Sequence, residues 1–256
     1  MSLSGFSVHS AAQNNQLSLL KALLDENPSR LNEIDQDGRT PLHWASATHG
    51  GLEIVQYLLS RPGIEVDKTD GSGWTALHIA CKHPFPTLHR FRRIDSLQAS
   101  AGRESVVREL LGAGANPNKT NDKGLTPLHY AASKSHISIG QLLISRGADI
   151  NAKDKANQHP LHRAATTGSV GFISILLDPP PGSPKTRLNT ADRIGNTPLH
   201  LAMESGHGEA AVKLIEAGAD RQRTNQDGQI PEEVDGVGGQ EQKRVKEYVI
   251  GRVGKP

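Results

Sequence analysis

A four-residue run, Thr-Pro-Leu-His, returns along this chain so regularly that it dictates the fold. DGRTPLHWA occupies residues 37–45, GWTALHIA 73–80, GLTPLHYA 124–131, NQHPLHRA 157–164 and GNTPLHLA 195–202. A worn copy, DGQIPEEV, lies at 227–234, and FSVHSA at 6–11 keeps only the His and Ala positions. Aligned on the threonine, the copies start at Phe6, Thr40, Thr75, Thr126, His159, Thr197 and Ile230, with steps of 34, 35, 51, 33, 38 and 33 residues. A unit of that length cannot bury its own apolar face. It must stack on neighbours, which makes the chain a repeat array rather than a globule with one centre.

Each copy carries its own helix-start chemistry. Thr40 before Pro41 places an N-cap ahead of a proline at the first helical position, where the missing N–H costs nothing. His43, three residues on, can reach back to the cap as a capping-box residue does. An Ala-rich helix follows, then a polar turn, then an apolar second helix such as residues 53–60 or 105–111. Gly-Ala-Asn or Gly-Ala-Asp closes the second helix at Gly114, Gly147 and Gly218, with glycine supplying the left-handed cap. The expected fold is all-α: seven helix-turn-helix repeats joined by β-hairpin-like fingers, with fourteen main helices and no central sheet. Repeat one (3–36) and repeat seven (227–253) are caps, and repeats two to six span 37–226. The drift of the terminal motifs, including Glu232 and Glu233 at the Leu and His positions, fits units that turn one face to water. Residues 240–252 read as a last helix with Val245, Tyr248 and Val249 on its buried side.

Two insertions break the period. Residues 83–101 add 18 residues inside the third repeat, and their Pro84 and Pro86 oppose helix; weak order is expected there. Residues 178–187 (DPPPGSPKTR) add five as a Pro-rich turn after the fifth repeat.

Composition excludes several functions. With 29 Lys plus Arg against 27 Asp plus Glu, the chain has no basic excess for nucleic acid. Arg90, Arg92 and Arg93 in the long insertion read as a solvated loop. No run approaches the roughly 18 apolar residues of a membrane span, and residues 1–10 show no signal-peptide core. The expected class is soluble and intracellular. One cysteine, Cys81, rules out internal disulfides and multi-cysteine zinc sites, and its place among small residues makes it a packing residue. Twelve histidines invite a metal. Six of them (His9, His43, His78, His129, His162 and His200) share one repeat position, each locked to its own cap, so they cannot converge on an ion. Nucleophile elbow, P-loop and dinucleotide fingerprint are all missing, so no enzyme and no cofactor is expected.

Binding remains. A solenoid offers a concave face built from finger tips and first helices. The residue after each motif histidine should point there: Trp44, Ile79, Tyr130, Arg163 and Leu201. Trp and Tyr suit interface anchoring, and the fingers add mixed charge, from Asp35, Asp37 and Arg39 to Asp192 and Arg193.

The period and motif resemble the ankyrin repeat along nearly the whole chain. The order DQDGRTPLHWA, GWTALHIA, TPLHYAASK, HRAA and GNTPLHLA is similar to the gankyrin family, seven-repeat chaperones for assembly of the proteasome regulatory particle. That resemblance implies a concave face gripping the C-terminal domain of one base ATPase subunit, in a monomer of the cytoplasm and nucleus, without nucleic acid or membrane. It implies that Arg39 and Lys134 meet partner acids and that Asp37 and Asp70 meet partner arginines. Trp44, Trp74, Tyr130, Lys134 and Arg163 are its discriminating positions. The family's LxCxE segment is here LAMES at 201–205, so retinoblastoma binding is not implied. The 83–101 insertion suggests a divergent, fungal orthologue. The alternative from the same architecture is an adaptor or inhibitor that binds a protein kinase or transcription factor.

Overall fold

The computed structural model describes residues 5–82, 96–234, 236 and 238–255. The chain divides into two compact units, Met1–Asp122 and Lys123–Pro256. Unit one holds α1 (Val8–Gln13), α2 (Leu17–Glu26), a 3-10 turn (Pro28–Asn32), α3 (Pro41–Ala47), α4 (Leu52–Leu59), α5 (Ala76–Lys82) and α6 (Ser96–Gly112). Unit two holds α7 (Pro127–Ser133), α8 (Ile137–Ser145), α9 (Pro160–Thr166), α10 (Val170–Leu177), α11 (Pro198–Glu204) and α12 (Gly208–Glu216). A 3-10 turn (Pro231–Glu233) and α13 (Gly239–Val253) complete it. Among the described residues there is no strand.

The short first helices form because Thr-Pro starts each one and small residues let the row pack closely. In unit one α3 lies between α1 and α5; in unit two α9 lies between α7 and α11. Ala45, Ala80, Ala131, Ala164 and Ala202 are fully buried along these rows, with Leu42, Leu77, Leu128, Leu161 and Leu199 beneath them. Each such leucine contributes about 2 kcal/mol by leaving water. The second helices form the other layer, α4 on α6 and α10 between α8 and α12. Here Gly140 is required by close approach, because a Cβ on it would sit 2.5 Å from the ring of the fully buried Phe172.

The threonine–histidine cap is built as its spacing implies. The Thr40 amide donates to His43 Nδ1 (3.1 Å), and the Thr40 hydroxyl lies 2.8 Å from the same nitrogen. Thr126–His129 and Thr197–His200 repeat the arrangement. With Nδ1 accepting, Nε2 carries the proton and donates to a carbonyl of the following finger. His43 reaches Trp74 O (2.9 Å), His129 reaches Gln158 O (3.0 Å) and His200 reaches Gln229 O (3.1 Å). In these three repeats the motif histidine is thus a strut between repeats as well as a cap, whereas His162 Nε2 has no partner among the described residues.

Four expectations need correction. The first helix of repeat seven is only the 3-10 turn Pro231–Glu233, so thirteen α-helices are described where fourteen main helices were expected. Glu232 is not turned to water: its side chain is 1% exposed and pairs with Arg221 at 2.7 Å. Residues 96–101 open α6 rather than forming a loose bulge, since no proline falls between Pro86 and Pro117 and Ala, Leu and Gln favour helix there. The weak order expected for residues 83–95 lies outside the described residues. On α13, Val245 and Val249 are buried, whereas Tyr248 is 37% exposed. Its ring packs against Gly208 and lies under the Arg252 guanidinium.

Candidate partner-binding surface

Five fingers are each closed by one aspartate or asparagine. In the first, Asp35 Oδ1 accepts the amides of Asp37 and Arg39, both at 2.9 Å, while Gly38 takes a φ of 75° that favours glycine. Asp70, Asp154, Asp192 and Asn225 make the same pair of bonds in their own loops. Neighbouring tips within a unit are tied by single backbone bonds: Gly71 N to Asp37 O, Asp122 N to Ser72 O, Lys155 N to Lys123 O, Arg193 N to Ala156 O. These fingers are hairpin-like without reaching the pairing of a sheet.

The second carboxylate oxygen orients the face. Asp35 Oδ2 accepts Trp44 Nε1 at 2.7 Å, and Asp154 Oδ2 accepts Arg163 Nη2 at 2.7 Å, nine residues on in each case. Burial acts to raise the Asp35 carboxyl, but the bonds from Arg39, Trp44 and Asp37 outweigh it and hold the group below its usual range. Asp70 Oδ2 faces Arg39 Nε at 3.5 Å, and the Arg39 guanidinium lies 5.1 Å from the centre of the Trp44 ring. Trp44 is therefore clamped between a carboxylate and a cation, half-exposed and fixed in orientation.

The expected site residues divide accordingly. In unit one, Asp37 is exposed at its tip, and Arg39, Trp44 and Trp74 are half-buried. Trp74 carries the Lys82 ammonium 4.3 Å above its ring. Asp70 is corrected: its side chain is 6% exposed, and its oxygens hold its own loop and Arg39, so it cannot present itself as a tip acid. Arg39, expected to meet a partner acid, is paired with that same Asp70. In unit two, Tyr130 and Arg163 are half-buried and Lys134 is exposed at the end of α7. Ile79 and Leu201 do not reach the surface; they are 3% and 7% exposed and pack within the first-helix rows.

Sequence reading missed how this redistributes charge. Asp154 and Asp192 are buried in their loops, which leaves Lys155 and Arg193 exposed at those tips beside Lys123. The fingers of unit two, from Lys123 to Arg193, therefore present a run of cations, while the tip of the second repeat presents Asp37. The signal was available: an aspartate two and four residues before backbone amides in a tight loop is a loop-closing acceptor.

Cys81 is fully buried, and burial pushes its thiol well above the usual range. Among the described residues no group of three His, Cys, Asp or Glu could hold a metal, and no helix is long and apolar enough to cross a membrane. Burial holds His43, His129, His159, His162 and His200 below the usual histidine range. Burial lowers His129, His159 and His162 to about 4. His159 stands where four other repeats have threonine, and neither of its ring nitrogens has a partner among the described residues.

The family model described as ankyrin repeats matches residues 8–89, 96–190 and 147–225. The chain belongs to the ankyrin-repeat family. Within that family it is 38% identical to the probable 26S proteasome regulatory subunit p28 of Saccharomyces cerevisiae, over 84% of this chain and 86% of that protein. It is 36% identical to the ankyrin repeat-containing protein C6C3.08 of Schizosaccharomyces pombe, over 82% of each. Among solved structures, the human ASB11 ankyrin repeat domain superposes with a TM-score of 0.74 at 23% identity, covering 97% of this chain and 98% of that one. The Bcl-3 ankyrin repeat domain gives 0.70 at 25%, covering 95% and 97%. The ankyrin solenoid and the likeness to a proteasome regulatory subunit, both read from the motifs, stand.

Proposed function

We propose that this ankyrin-repeat chain is a non-catalytic scaffold that assists assembly of the 26S proteasome regulatory particle, its fingers and first helices taking the C-terminal domain of one base ATPase subunit. The observation that carries this reading is the 38% identity to yeast p28 over 84% of this chain and 86% of that protein, a match that takes in most of both chains. The surface supports it. Trp44 is pre-oriented by Asp35 and Arg39, so little side-chain freedom is lost when a partner covers it. Lys134, Lys155 and Arg193 offer cations to an acidic patch, and Asp37 offers an anion to a basic one. Such a chaperone works as a monomer in the cytoplasm and nucleus, without cofactor, nucleic acid or membrane. Capture from a fungal lysate with the tagged full chain tests it. Base ATPase subunits should be recovered with it; recovery of kinases or transcription factors without them would replace this reading.

A further inference from the structure

The Pro-rich turn that interrupts the period after repeat five has no part in the binding surface. It holds one Ser-Pro pair, Ser183-Pro184, followed by the cations Lys185 and Arg187. The chain has three other Ser/Thr-Pro pairs, all within the repeat motif: Thr40, Thr126 and Thr197. Those three are at most 2% exposed, and each hydroxyl lies 2.8 Å from its cap histidine. A kinase cannot reach them without unfolding a repeat.

Ser183 is built differently. Pro181, Gly182, Pro184 and Lys185 around it are exposed, and Ser183 is half-exposed. The Ser183 amide donates to Pro180 O at 3.1 Å, closing a turn in which Gly182 has a φ of 87°. Among the described residues its hydroxyl has no hydrogen-bond partner, and that backbone bond is the one hydrogen bond within residues 179–184, whose prolines 179–181 lie beside Gln141, Ile144 and Ile175. Beyond the turn the chain is pinned: Lys185 O accepts Asn151 Nδ2 (3.0 Å), Arg187 N donates to Asn151 Oδ1 (2.9 Å), and Thr186 bonds Leu176 O. The serine thus stands at the tip of a short loop whose base is fixed, so it is presented outward without loss of the repeat.

We infer that Ser183 is a phosphorylation site for a proline-directed serine/threonine kinase. Proline after the acceptor satisfies such an enzyme, and the cations beyond it complement an acidic docking rim. In the transfer, Ser183 Oγ attacks the γ-phosphorus of the kinase's magnesium-bound ATP. The new O–P bond forms as the bond to ADP breaks, and the hydroxyl proton passes to the kinase's catalytic carboxylate. The product dianion adds close to two negative charges to a loop that now carries Lys185 and Arg187.

The experiment treats the purified full chain with MgATP and a proline-directed kinase of the cyclin-dependent or mitogen-activated class. Intact mass and tandem spectrometry then locate the phosphate. A single phosphate on Ser183, lost in Ser183→Ala and in Pro184→Ala with unchanged melting curves, is the expected result. No phosphate on the folded chain overturns the inference, as does phosphate on Thr40, Thr126 or Thr197. So does a result in which only a peptide of residues 179–187 is modified.

Discussion

Acidification should unfold unit two well above the pH at which ordinary carboxylates titrate. His129, His159 and His162 are buried and neutral, held at about 4 against about 6.5 in an unfolded chain. The sign follows from proton counting. Their neutral forms stabilise the fold fully above pH 6.5, and that stability is lost as pH falls toward 4, because the unfolded chain binds protons first. At pH 5 each unfolded histidine carries about 0.9 more proton than its folded counterpart, a slope of about 1.2 kcal/mol per pH unit. Between pH 7 and 5 each loses about 2 kcal/mol, and three lose about 5–6, comparable with the whole stability of a small domain. Urea denaturation followed by circular dichroism at half-unit steps from pH 7 to 4.5 measures the slope. His159→Thr restores the motif cap and removes one titrating ring, so it should flatten the slope by about a third. A stability that stays level from pH 7 to 5, or a His159→Thr slope equal to wild type, would refute the buried-neutral account.

Two further outcomes concern stability. Thr197→Ala removes the hydroxyl that lies 2.8 Å from His200 Nδ1, and should cost about 1 kcal/mol in the same urea titration. Arg221→Met strands the buried Glu232 carboxylate and should cost about 3 kcal/mol, whereas the double change Arg221→Met with Glu232→Leu, which restores the motif leucine, should recover most of it.

The fold was legible because each repeat writes its own start signal. Thr40, Pro41 and His43 are three residues whose chemistry is satisfied locally, so spacing alone revealed the cap. What the same histidine does with its other nitrogen was not legible, since its acceptor, Trp74 O, belongs to the next repeat. The candidate surface shows the same division. Trp44 and Lys134 could be placed on it from their register in the motif. The fate of Asp70 could not, because its carboxylate is consumed by two amides of its own loop and by Arg39 of the preceding finger. Glu232 misled for a related reason. A charge at a motif leucine looks like surface until Arg221, eleven residues upstream, is seen to bury with it.

The pairing of Arg39 with Asp70 also decides how binding is best tested. Arg39→Glu would set a third carboxylate beside Asp35 and Asp70 and disturb the finger itself, so a loss of binding would be ambiguous. The side chains of Lys134 and Lys155 are exposed and make no hydrogen bond or ion pair among the described residues, so their reversal changes charge alone. Titration calorimetry of the purified full chain with a recombinant C-terminal domain of the base ATPase measures the central claim directly. The account predicts one-to-one binding by the wild type that weakens with salt, and a Lys134→Glu, Lys155→Glu chain that folds normally but binds at least about tenfold more weakly, about 1.4 kcal/mol. Absence of binding by the wild-type chain would contradict the proposed partner, and undiminished affinity in the double reversal would contradict the charge-guided surface.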